Sequence, residues 1–130
     1  MSTFRVPLRF AVPAAIGNPQ TDQWEEVEAL VDTGSTFTTL PRTLLERLGI
    51  DPGRREPFEL ADGSVVESEV GEARVRVEGK EVTTPVIFGE PAESVLLGAV
   101  TLEACLLTVD PVHERLVLVQ GLRVIRLRAI

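Results

Sequence analysis

Ala29-Leu30-Val31-Asp32-Thr33-Gly34-Ser35-Thr36-Phe37-Thr38-Thr39-Leu40 is the stretch on which the reading of this chain turns. Three apolar residues deliver one carboxylate, Asp32, into a turn of small hydroxyl residues and glycine, after which β-branched residues resume. An acid at the end of a buried strand is costly to desolvate unless something hydrogen-bonds it, and Thr33, Ser35 and the unhindered backbone around Gly34 each offer a donor. A carboxylate held this way is a candidate for chemistry. The plain alternative is an Asx-type turn that merely ends a strand.

Working outward, Trp24 to Val31 forms the strand that runs into Asp32, with Glu26 and Glu28 on the face of Trp24, a half-buried packing residue. Pro13 to Gln23 reads as a surface loop, because two prolines, Gly17 and Asn18 punctuate it. Before it, Phe4, Val6, Leu8, Phe10 and Val12 alternate with Arg5, Pro7 and Arg9 in the period-two pattern of a strand with one buried face, and Pro7 suits an edge. After the turn, Thr36 to Thr39 continues as a short strand. Pro41 then opens a helix lined by Leu44, Leu45 and Leu48 and stopped by Gly49.

The remainder is mostly strand. Arg54 to Leu60 and Val65 to Val77 flank Ala61-Asp62-Gly63-Ser64, where Asp-Gly predicts a type I′ hairpin turn, and Gly71 marks a bulge or bend. Gly79-Lys80 makes the next hairpin, leading into Val82 to Phe88. Val95-Leu96-Leu97-Gly98 is a short apolar strand, Ala99 to Cys105 a short helix, and Leu106 to Val109, Leu116 to Val119 and Leu122 to Leu127 three further strands. Short strands at close turn spacing predict a mainly β fold, a small barrel or sandwich with one or two short helices.

Composition narrows the function. A chain of 130 residues with 44% hydrophobic content is expected to be one domain, residues 1–130, with a real core. A net charge of −7 argues against non-specific nucleic-acid binding. The N-terminal stretch interleaves arginines with apolar residues, which supports neither a signal peptide nor a membrane span, so a cytoplasmic protein is expected. Cys105 is the single cysteine and sits among apolar residues as a buried hydrophobe, while the single histidine, His113, falls in a turn. One His and one Cys cannot build a structural zinc site, and neither a calcium loop nor a phosphate cradle occurs. No metal and no cofactor are expected.

Paired carboxylates remain. Two aspartates brought together cannot both ionise, so one stays protonated while the other serves as base towards a water that attacks a peptide carbonyl. The chain has only one Asp-Thr-Gly. A dyad therefore requires two copies meeting about a two-fold axis that sets Asp32 beside its mate.

The run Ala29 to Ser35, followed some sixty residues later by Leu96-Leu97-Gly98, with a hairpin between them and a short helix directly after, resembles the retroviral-type (retropepsin-like) aspartic proteases over about Val27 to Val119. The resemblance implies a small closed β-barrel with its core over 24–119, working as a homodimer on peptide or protein substrates. Asp32 is then the catalytic carboxylate, and Gly34 admits a close backbone approach. Thr33 corresponds to the threonine that bonds the opposite subunit's active-site loop, and Ser35 hydrogen-bonds the carboxylate. Ala61, Asp62, Gly63 and Ser64 form the tip of a flap that closes over substrate. Leu96, Leu97 and Gly98 support the active-site loop from behind.

Three departures stand out. The flap has less glycine and an acidic tip, Asp62, and Ala99-Val100 replaces the Arg and Asp or Asn that follow the Leu-Leu-Gly run in many relatives, removing an ion pair that helps hold the dimer. The extension beyond Val119 is longer than in viral enzymes, and residues 120–130 are a candidate intersubunit strand. The reading that results is an aspartic endopeptidase with an Asp32/Asp32 dyad. Its rivals are a non-catalytic dimeric module that holds extended peptides as an added strand, and a plain barrel in which Asp32 caps a turn.

Overall fold

Alternation decides which side of each strand is buried, and strand register then decides whether the sheet closes. The structure, a computed structural model, describes residues 9–119. In chain order the elements are β1 (Arg9–Gly17), β2 (Trp24–Asp32), β3 (Thr38–Pro41), α1 (Arg42–Arg47), β4 (Arg54–Glu59), β5 (Val65–Val77), β6 (Lys80–Gly89), β7 (Val95–Leu97), α2 (Ala99–Ala104), β8 (Leu107–Asp110) and β9 (Arg115–Leu118). The main sheet runs β1-β2-β7-β3-β6-β5-β4, and β5 also pairs with β1 at Ala15–Gly17. The ring β1-β2-β7-β3-β6-β5 therefore closes into a barrel, and β4 hangs on β5 alone as the arm of a hairpin.

In the core, Val31, Leu40, Val75, Val86 and Leu97 of the barrel strands and Leu45 of α1 are sealed from solvent. Each such side chain contributes about 1.5–3 kcal/mol of burial. One polar cluster interrupts this core. The hydroxyls of Thr38 and Thr101 lie 2.6 Å apart, Thr84 lies 3.3 Å from Thr101, and the Gly98 N–H donates to Thr38 Oγ1 at 3.0 Å. These bonds join β3, β6 and the start of α2, and each of the three buried hydroxyls has a partner.

The mainly β barrel with two short helices agrees with the sequence reading, and several local expectations change. Residues Pro13 to Gly17 are strand, not loop: β1 continues to Gly17, with Pro13 opposite Glu28. At Pro13 β1 has only β2 as neighbour and its other edge is open, the setting in which a strand proline is tolerated. Asp62-Gly63 is not a type I′ turn, since only Gly63 has a positive φ, of 89°. Its N–H bonds to the Leu60 carbonyl and the Leu60 N–H to that of Ser64, the pattern of a three-residue loop with glycine in the left-handed position. The two-residue turn with positive φ at both positions is instead Glu78-Gly79, between Val77 and Lys80. Gly71 is no bulge, because the β5–β6 register runs unbroken from Val70 to Val77. A Cβ there would stand 3.1 Å from the Asp51 carbonyl and 3.0 Å from the Phe88 ring, so close packing explains the glycine. Pro41 ends β3 and α1 starts at Arg42.

Trp24 is half-buried, with the guanidinium groups of Arg74 and Arg76 at 4.6 and 3.9 Å from its ring centroid. That agrees with a packing role. The strand residues expected before Arg9, including Pro7, the strand Leu122 to Leu127 and the candidate intersubunit strand 120–130 lie outside the described residues.

Candidate active site

Asp32 is the last residue of β2, so the chain leaves the barrel wall at the carboxylate. It is 3% exposed, which makes its partners decisive. Oδ1 accepts the Gly34 N–H at 2.9 Å, Oδ2 accepts the Ser35 hydroxyl at 3.2 Å, and the Ser35 N–H closes the turn onto the Asp32 carbonyl at 3.1 Å. Thr33 is exposed on the turn between them.

A cation joins this set. Arg9 is the direct cross-strand partner of Asp32, and its Nη2 stands 3.0 Å from Oδ2. The Arg9 side chain is 59% exposed, that of Asp32 only 5%.

Behind the turn, β7 lies parallel to β2 with Leu96 opposite Leu30 and Leu97 opposite Val31. Gly98 follows, where a Cβ would fall 2.8 Å from the Phe37 nitrogen and closer still to the Phe37 carbonyl. The first N–H groups of α2, which lack partners inside the helix, reach into the turn: Ala99 donates to the Ser35 carbonyl and Val100 to that of Thr36, both at 2.9 Å. Gly98 and the start of α2 thus rest against the 35–37 turn, while Leu96 and Leu97 lie beside the end of β2.

The hairpin between β4 and β5 meets the same loop. Gly34, Ser35, Thr36, Phe37 and Thr39 form one wall of a 420 Å³ cleft; Phe58, Glu59, Leu60 and Ala61 form the other, and Ile87 contributes from β6. Of the four expected tip residues only Ala61 lines this cleft. Asp62, Gly63 and Ser64 form an exposed end in which Asp62 Oδ1 accepts the Ser64 hydroxyl at 2.6 Å and the Ser64 N–H at 2.9 Å. These bonds, the hydroxyl first, hold the Asp62 carboxyl below the usual carboxylate range. Phe37 and Phe58 pack edge to face, with ring centroids 5.6 Å apart, and also line a neighbouring 380 Å³ cleft with Val70 and Ile87.

Arg9, Phe37 and Phe58 were not singled out in the sequence. The alternation marked Arg9 as an outward residue, but only the β1–β2 register puts it opposite Asp32. Phe37 carried one signal, an aromatic inside the hydroxyl-rich turn. Elsewhere, burial raises the Cys105 thiol pKa, and His113 is exposed with Nδ1 2.9 Å from Asp110. Among the described residues no group of three His, Cys, Asp or Glu is placed to hold a metal ion.

A closed six-stranded barrel, a strand ending on Asp-Thr-Gly-Ser and a Leu-Leu-Gly segment behind it define the class of retropepsin-like aspartic proteases. The chain belongs to the family of gag-polyprotein putative aspartyl proteases, whose model matches residues 22–104. Among solved structures it is similar to the protease of equine infectious anaemia virus complexed with the inhibitor HBY-793, at 19% identity over 90% of this chain and 100% of that one, with a TM-score of 0.55. The simian foamy virus (mac) protease shares 22% identity over 72% of this chain and 92% of that one, with a TM-score of 0.53. A foamy viral protease-reverse transcriptase, solved with an RNA/DNA hybrid, matches at 17% identity over 72% of this chain and 12% of its own length, with a TM-score of 0.51. No curated protein matches the chain significantly in sequence. At these identities the structures speak for the fold.

Proposed function

We propose that this chain is an aspartic endopeptidase in which Asp32 of one copy and Asp32 of a second copy share a proton and activate a water. The observation that carries the proposal is the state of Asp32: buried, at a strand end, and held at both oxygens by the Gly34 N–H and the Ser35 hydroxyl. The ionised member of the pair takes a proton from water as it attacks the scissile carbonyl. The protonated member donates to the oxygen on which charge develops.

The remaining parts take roles that fit this chemistry. Substrate lies extended in the cleft between the 34–39 loop and Phe58 to Ala61, and the hairpin tip at Ala61 to Ser64 acts as the flap that excludes water. Thr33 braces the opposing loop, and residues 120–130 add to the sheet between copies. The chain acts as one domain over residues 1–130, on peptides or proteins rather than nucleic acid or membrane, in the cytoplasm. Among the described residues no helix is long and apolar enough to cross a membrane.

The test is peptidase activity on a mixed peptide pool at mildly acidic pH. Asp32→Asn is expected to abolish cleavage while leaving the thermal unfolding transition in place. A fully active Asp32→Asn protein would remove Asp32 from the chemistry. One observation favours the rival, a dimeric peptide-binding module without catalysis: the Arg9 guanidinium on Oδ2 suits a carboxylate kept as a structural counter-charge. A folded, peptide-binding but inactive wild-type protein would select it.

A further inference from the structure

Counting acceptor sites on Asp32 exposes a conflict. An ionised carboxylate offers about four lone-pair directions; two accept hydrogen bonds here, from the Gly34 N–H on Oδ1 and the Ser35 hydroxyl on Oδ2, and the Arg9 guanidinium stands 3.0 Å from Oδ2 as an ion pair. A dyad needs at least two more, one for the proton shared with the second carboxyl and one for the water. Two and two use all four directions, which leaves the guanidinium no place against Oδ2. One existing partner has to leave, and the three are not equally free to do so. The Gly34 N–H is backbone fixed by the turn, and the Ser35 hydroxyl is a short side chain on the same turn. Arg9 alone sits on a long side chain that is already more than half in water.

We propose that Arg9 is a latch on the catalytic carboxylate, holding Asp32 Oδ2 in the lone protomer and swinging off when the Asp32 of a second copy arrives. The inference rests on the dyad reading above. The register makes the contact systematic, since Arg9 and Asp32 face each other directly across β1 and β2, where opposite charges attract most effectively. The latch has two consequences. The lone protomer is spared an uncompensated buried charge, and association competes against an ion pair, so an isolated copy stays closed and only a pair of copies opens the site.

The experiment compares wild type, Arg9→Lys, Arg9→Gln, Asp32→Asn and the Arg9→Gln/Asp32→Asn double variant by sedimentation equilibrium, with peptidase activity measured on the same samples. Releasing the latch in advance is expected to tighten dimerisation of Arg9→Gln about fivefold, the scale of one partly exposed ion pair. Arg9→Lys keeps the charge and stays near wild type. Added to Asp32→Asn, the Arg9→Gln change alters nothing, because the ion pair is already gone. A second measurement addresses the protomer directly, at concentrations where it is monomeric: carbodiimide-driven amine coupling to Asp32, read by peptide mass spectrometry, runs several-fold faster in Arg9→Gln than in wild type. Association of Arg9→Gln that is unchanged or weaker, an equal shift in both backgrounds, or unchanged labelling overturns the latch. Tighter Arg9→Gln dimers without any cleavage keep the latch and sink the peptidase reading. Cleavage with Arg9-independent association does the reverse.

Discussion

Gly98 and Gly63 are both glycines for local reasons, yet the reasons differ and so do the costs of replacing them. At Gly98 the backbone is extended, with φ of −96°, so any residue could adopt it. What forbids a side chain is the Phe37 backbone in the turn after Asp32, against which a Cβ would be driven. At Gly63 nothing lies within 4 Å of the same atom, and the only penalty is the positive φ of 89°. Gly98→Ala is therefore expected to destabilise by about 3 kcal/mol and to push Ser35 off Asp32. Gly63→Ala is expected to cost only about 1 kcal/mol. Urea unfolding of the two variants measures the difference. Equal midpoints would mean that the loop gives way to a methyl group, and that Gly98 does not fix its position. At this scale the sequence was most legible, because Asp32, Gly34 and Ser35 are neighbours in the chain and their hydrogen bonds follow from the turn itself. Arg9 was not legible, since its meeting with Asp32 spans 23 positions and depends on a register.

The hairpin carrying Ala61 to Ser64 was placed correctly from its Asp-Gly signal, but the turn type was not, and the difference matters for how the tip behaves. Type I′ needs two left-handed residues; here Asp62 keeps an ordinary φ and its carboxylate ties Ser64, adding side-chain bonds to the backbone bonds that close the loop. A lowered pKa in the folded state means that this tie stabilises the tip fully above the ordinary value of 3.8 and is lost as pH falls through the lowered value. The tie thus persists across the mildly acidic range in which the proposed aspartate pair would operate. Ser64→Ala removes the largest cause of the lowering, so the Asp62 carboxyl is expected to titrate closer to 3.8 and the tip to loosen at higher pH. A carbon-detected NMR titration of that carboxyl in both proteins checks this. Identical midpoints would assign the lowering to something other than the hydroxyl. The strand β1 shows the opposite kind of error. Two prolines and a glycine made residues 13–23 look like loop, because local punctuation cannot show that β1 has a single neighbour at Pro13.

Closure of the barrel rests on three residue pairs between β1 and β5, Ala15–Arg76, Ile16–Val75 and Gly17–Arg74, joined from positions about sixty apart, which is why a barrel and a sandwich were equally compatible with the strand pattern alone. The family resemblance, not periodicity, separated them. What the whole molecule adds beyond its fold is charge. Each copy carries −7, so in the proposed dimer two copies approaching one another repel over distances set by the ionic atmosphere. That range is about 30 Å at 0.01 M salt and about 8 Å at 0.15 M, so salt removes the repulsion at the separations where encounter is decided. Contacts within the formed dimer are short-ranged and screened far less. Raising salt between these limits is therefore expected to tighten association and to move the curve of specific activity against protein concentration to lower concentrations. The same change hardly alters activity once dimers are saturated. Sedimentation equilibrium alongside initial rates at several protein concentrations measures both effects. Salt that weakens association would show that attraction between opposite charges holds the copies together, and that the excess of acids lies away from the surface they share.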